Sequence, residues 1–125
     1  MSTFVANKIE KDQWVSFFND LGKQYQGWAV TIEVLNREFG DQRRVEQLPL
    51  QGVSYEPAGS QAGDILIETG DAGMPYETHL IRRPRVVQYA MTQPGAEVDL
   101  DIESEEGYTT LVRIRRRPQL PPPRA

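Results

Sequence analysis

EVDLDIESEEGYTTLVRIR, residues 97–115, reads as two strands joined by a short loop. Val98, Leu100 and Ile102 alternate with Asp99, Asp101 and Glu103, a period of two that gives a strand one apolar and one polar face. Val112 and Ile114 supply the apolar face of the return strand. Matching the two faces pairs Leu100 with Val112 and Val98 with Ile114. It leaves Glu105-Glu106-Gly107 as the loop, with glycine where a left-handed residue is needed. The same register sets Asp99 opposite Arg113 and Glu97 opposite Arg115, and opposite charges facing each other add about 0.2–1 kcal/mol per pair. Face, loop and charge agree on one register, so the fold is built on antiparallel hairpins.

Working towards the N-terminus, further strand-like stretches appear. Trp28, Val30, Ile32 and Val34 alternate with Ala29, Thr31 and Glu33. Leu48 and Leu50 share one parity, whereas Val53 and Tyr55 share the other. A strand keeps one face across such a change only by inserting a residue, so a β-bulge is expected at Gly52, with a bend there. Pro49 cannot donate to a ladder and belongs at an edge or interruption. Asp64–Glu68 and Tyr76–Ile81 are shorter strands; Pro84 breaks the second, which resumes over Val86–Met91.

One segment has the helical period. Trp14, Phe17, Phe18 and Leu21 form a single apolar stripe, with Glu10 and Asp12 at the start and Gly22 and Lys23 at the end. The helix is expected from Glu10 or Lys11 to Leu21, capped by Gly22. So short a helix is marginal alone and needs a sheet to bury its stripe. The expected fold class is therefore α+β. An N-terminal amphipathic helix packs on a five- to six-stranded, strongly bent antiparallel sheet, or on a small barrel of the SH3-like or Sm-like kind. Residues 1–115 are expected to form one domain, and residues 116–125, with four prolines, a disordered Arg/Pro-rich tail.

Composition narrows the chemistry. A chain of 125 residues suits one domain and buries roughly two-thirds of its unfolded surface. With no cysteine, disulfides, thiolate metal sites and a cysteine nucleophile are excluded. With one histidine, His79, a histidine-rich zinc site is excluded too. No basic n-region precedes an apolar run at the N-terminus and no run is long enough for a membrane span, so the expected location is cytoplasmic. Net charge is −4, which disfavours general nucleic-acid binding. Eleven of the 14 basic residues are arginine, a side chain suited to bidentate contacts with carboxylates or phosphates.

Four residues are the candidate ligand contacts: His79, Arg82, Arg83 and Arg85. The arginines form the densest basic patch outside the tail and sit near Tyr89, an arrangement suited to an anion or a nucleic-acid backbone. The competing interpretation is a solvated edge whose arginines pair with the chain's own acids. His79 lacks a Gly-x-Ser-x-Gly elbow to present a nucleophile, and a histidine beside Leu80 and Ile81 fits a structural hydrogen-bonding role. The row Asp99, Asp101, Glu103 is a strand's polar face rather than a cation loop. No catalytic set, cofactor or metal is expected.

Trp14-x-x-Phe17-Phe18, Gly27-Trp28 running into Val30-Thr-Ile-Glu-Val34, Leu48-Pro-Leu-x-Gly-Val-Ser-Tyr55, His79-Leu-Ile-x-x-Pro84 and Gly107-x-x-Thr110-Leu111 together resemble the bacterial DUF5335 family, over most of the chain. The resemblance implies a bacterial source and carries no activity or site residue with it. The expected function is a non-enzymatic protein-interaction module, acting on a partner or on itself through a strand edge or the arginine patch. The alternatives are a nucleic-acid-binding small barrel using Arg82, Arg83 and Arg85, and a hydrolase pairing His79 with a carboxylate such as Glu77.

Overall fold

The computed structural model of the chain describes residues 7–58, 61–71, 76–92 and 97–116. A short strand β1 (Asn7–Ile9) leads through a 3₁₀ turn (Lys11–Gln13) into helix α1 (Trp14–Gln24). Seven strands follow: β2 (Ala29–Asn36), β3 (Gly40–Ala58), β4 (Gln61–Thr69), β5 (Glu77–Arg82), β6 (Pro84–Met91), β7 (Glu97–Ser104) and β8 (Tyr108–Arg115). They form one antiparallel sheet in the order β1-β6-β7-β8-β2-β3-β4-β5.

This corrects the expected architecture in two respects. The sheet has eight strands rather than five or six. It is also open: among the described strands no ladder joins β1 to β5, so it is not an SH3-like or Sm-like closed barrel. The strand count was low for two physical reasons. β1 has three residues, too few to show a period. Pro84 does not interrupt one strand but begins a new one, because Arg83 adopts φ 48° and turns the chain between β5 and β6.

β3 bends the sheet. Its first part pairs β2, ending at Ala29↔Pro49, and its second part pairs β4, starting at Leu50↔Thr69. Between Leu50 and Gly52 the register slips, so Gln51 is the extra residue and Leu50, Val53 and Tyr55 all turn inward. Pro49 therefore lies where the strand changes partners, its carbonyl accepting the Gly70 N–H at 3.0 Å.

The core lies between the inner faces of the two halves of this bent sheet. Val30 and Ile32 of β2, Ile65 and Ile67 of β4, Leu100 and Ile102 of β7, and Val112 and Ile114 of β8 are almost wholly buried. β7 alternates strictly between half-buried and buried, as its sequence period requires. From α1, Trp14, Phe18 and Leu21 join the same cluster. Each such side chain contributes about 1.5–3 kcal/mol by leaving water. The Trp14 ring meets Tyr55 of β3 edge-on at 5.1 Å, and its Nε1 donates to the Ile9 carbonyl at 2.9 Å.

The helix runs one turn further than expected, to Gln24, so Gly22 does not cap it. Gly22 is buried against β3, where a Cβ would stand 3.0 Å from the Val53 nitrogen. The left-handed residue that follows the helix is Gly27, with φ 86°.

The β7–β8 hairpin has the pairing Val98↔Ile114 and Leu100↔Val112, with Gly107 at φ 90°. Of its two expected ion pairs, Glu97 lies opposite Arg115 and contacts it at 3.8 Å, whereas the other is shifted. Asp99 lies opposite Arg113 but contacts Arg115 at 2.9 Å, without an aligned hydrogen bond, and Arg113 leans towards Glu33 of β2 at 3.7 Å. Residues 117–125 of the expected tail lie outside the described residues; Arg116 stands with its guanidinium 5.4 Å from the Trp28 ring.

Candidate functional site

β5 is the last strand in the sheet order, and its alternation decides what it presents to each side. Ile81 is fully buried and Leu80 is exposed, so odd-numbered residues face inward and even-numbered residues outward. His79 is thus on the inner side, opposite Ile67 of β4. Across from it stand Val34 and Asn36 at the end of β2, Tyr108 at the start of β8, and Arg44 of β3. With Leu80 they line a cleft of about 350 Å³.

The side chains in this cleft are rich in hydrogen-bond donors. His79 Nε2 is buried and has no partner among the described residues. Burial, with a smaller contribution from the Arg44 charge, holds the imidazole below its ordinary pKa of 6.5, so the ring is neutral at pH 7. Asn36 Oδ1 accepts from the Glu38 and Phe39 N–H groups, at 2.8 and 3.4 Å, so it is the amide NH₂ that remains to donate. Tyr108 Oη accepts the Arg82 N–H at 3.0 Å and keeps its own hydrogen for another acceptor.

Arg44 owes its place to another of the register shifts along β3. Ile32 pairs with Val45 and Glu33 with Arg43, so Arg44 is an extra residue without a cross-strand partner. A bulge re-aims its side chain. Arg43 reaches Glu33 and Glu46 at 3.1 and 3.3 Å, while Arg44 has no ion pair among the described residues.

The three arginines singled out in the sequence are not gathered around His79. Arg82, three residues on, has the opposite parity, and Arg83 occupies the β5–β6 corner. Their backbones hold that corner. The Arg82 carbonyl accepts from Ser104 Oγ at 2.7 Å, the Arg83 N–H donates to Asp64 Oδ1 at 3.3 Å, and the Arg83 carbonyl accepts the Glu105 N–H at 2.9 Å. Arg85 pairs with Glu103 at 3.1 Å. The side chains of Arg82 and Arg83 are exposed, with no ion pair among the described residues.

A basic basin that sequence reasoning missed lies on the outer face. Arg43, Arg113, Arg115 and Arg116 surround a depression of about 470 Å³. The β2–β8 and β2–β3 registers bring them together, Thr31 facing Arg113 and Glu33 facing Arg43. The hairpin pattern placed Arg113 and Arg115 on an outer face, but nothing in the sequence gave β8 its neighbour β2. Most of this charge is answered locally, by Glu33, Glu46, Glu97 and Asp99. Among the described residues no group of three or more acids and histidines is placed to hold a metal ion, and no helix is long and apolar enough to cross a membrane.

Residues 5–123 match a family described as "Family of unknown function (DUF5335)". The chain belongs to the DUF5335 family. An uncharacterized protein of Aquifex aeolicus (strain VF5) is similar to it, 33% identical over 115 residues that cover 92% of this chain and 95% of the relative. No solved structure matches. The DUF5335 match includes every residue of the cleft, from Val34 to Tyr108, and bears out the resemblance carried by the tryptophan, glycine and proline motifs.

Proposed function

We propose that this DUF5335 chain is a non-enzymatic protein-interaction module that docks a partner strand on the outer edge of β5. The observation that carries this reading is the direction of the Arg82 backbone. Its N–H goes to Tyr108 Oη and its carbonyl receives Ser104 Oγ, both away from β4. Backbone groups alternate along a strand. Thr78 and Leu80 therefore present their N–H and C=O to the same open side, beside the exposed side chains of Leu80 and Tyr76. Such an edge accepts a strand from another chain through main-chain hydrogen bonds.

Thr78→Pro tests this. The substitution removes an outward N–H and leaves the β4 ladder intact, so the fold tolerates it. Affinity capture from bacterial lysate, with and without nuclease, should retain a protein on the wild-type chain and lose it on T78P. Equal capture by both chains contradicts the reading. Nuclease-sensitive capture lost on replacing Arg82 and Arg83 would favour the alternative, nucleic-acid binding, which the exposed guanidinium groups of those two residues support.

A further inference from the structure

We propose that the cleft between β5 and the β2–β8 end of the sheet is a small-molecule site for an organic monocarboxylate, with Arg44 as its charged anchor. This goes beyond strand docking at β5 and rests on different groups, the side chains inside the cleft.

Three observations converge. Arg44 is the extra residue of a bulge, so it points where neither Arg43 nor Val45 points, and it has no acid beside it among the described residues. The other polar groups of the cleft have donors left over: the Asn36 amide, the Tyr108 hydroxyl and the neutral His79 ring. His79 Nε2 is also buried without a partner among the described residues, a state that costs stability until something bonds it. Thr110 adds a second orphan close by. It lies opposite Val34 and two residues along the same face from Tyr108, with Oγ1 buried and unpartnered among the described residues.

The ligand class follows from the charge and the walls. One guanidinium supplies one positive charge and a planar fork, which matches a carboxylate. A phosphate dianion would find one cation here. Val34 and the Tyr108 ring give the cleft apolar surface for a short hydrocarbon body. Pockets of this kind combine an apolar lining with a few placed polar groups.

His79 is the only histidine, so its ring ¹⁵N–¹H signals report the cleft without ambiguity. The probes are a series of short straight-chain monocarboxylates, from propionate to hexanoate, their primary amides, and inorganic phosphate. Carboxylates at millimolar concentration should move the His79 signals saturably, and the amides should not. Arg44→Gln should weaken the carboxylates by about tenfold or more, the loss of one charge-assisted contact, while keeping the wild-type melting temperature. The absence of a saturable shift, or one that persists in R44Q, overturns the site. Tighter binding of phosphate than of every carboxylate overturns the ligand class. T78P touches none of the residues that line the cleft, so loss of partner capture there with carboxylate binding retained separates the two readings.

Discussion

Glycine positions show how differently one residue type is used. Gly63 packs so closely on the Glu56 carbonyl that a Cβ would collide with backbone. Gly22 meets the Val53 nitrogen at 3.0 Å, a contact only a small shift could relieve. Gly52, at the predicted bulge, would place a Cβ no nearer than 3.8 Å to the end of the Glu68 side chain, and its φ is not positive. Substitution by alanine should therefore destabilise in the order Gly63, Gly22, Gly52. The expected losses are several kcal/mol, about 1–3 kcal/mol and well under 1 kcal/mol. Urea unfolding of the three variants checks the order. The bulge itself was legible from the parity change between Leu50 and Val53, but the glycine is not what makes it possible. The uses of Gly22 and Gly63 were not legible, because close approach of two backbones leaves no local pattern. Arg44 escaped notice for a related reason: its bulge appears only once β2 and β3 are in register.

At the scale of elements, the register of the β7–β8 hairpin was readable and the β5–β6 corner was not. The hairpin is local, and its apolar faces, loop and charges select one pairing. The corner depends on residues far away: Tyr108 and Ser104 hold Arg82, and Asp64 holds Arg83. Removing one of these contacts should loosen β5 without unfolding the sheet. Tyr108→Phe deletes the acceptor of the Arg82 N–H and keeps the ring. Native-state hydrogen exchange at the Arg82 amide should quicken by about threefold to tenfold, corresponding to a hydrogen bond of about 0.5–1.5 kcal/mol. Exchange at Leu100 and Val112 should stay unchanged, and an equal acceleration there would show that the corner is part of the global unfolding unit. Helix α1 is the opposite case. It has few residues and no side-chain cap, so burial against β3 must hold it. Phe18→Ala, at a site with no solvent exposure, should cost about 3–5 kcal/mol by thermal or urea unfolding.

For the whole molecule, pH provides a test that involves both the cleft and the outer face. The folded chain holds the His79 pKa below 6.5, through burial first and the Arg44 charge second. As pH falls through about 6.5, the unfolded chain takes up a proton that the folded chain resists. Protonation then favours unfolding, so stability drops below that pH and is regained above it. Asp101 acts in the reverse sense. Burial, and then Glu103, raise its pKa above 3.8, so the folded chain keeps that proton longer and loses stability as pH rises through the interval just above 3.8. Asp101 is half-buried on the outer face, and solvent screening reduces its share. The His79 window opens near pH 6.5 and the Asp101 window just above 3.8. His79→Gln keeps a neutral polar side chain and removes the titration. Urea unfolding at steps across the His79 window should show falling stability for the wild-type chain and a flatter profile for H79Q. Because His79 is the only histidine, the difference in slope belongs to the cleft. Equal slopes would mean that the ring takes its proton as readily in the folded protein as in the unfolded chain, and the cleft would then have to be wetter, and Arg44 farther off, than their packing indicates.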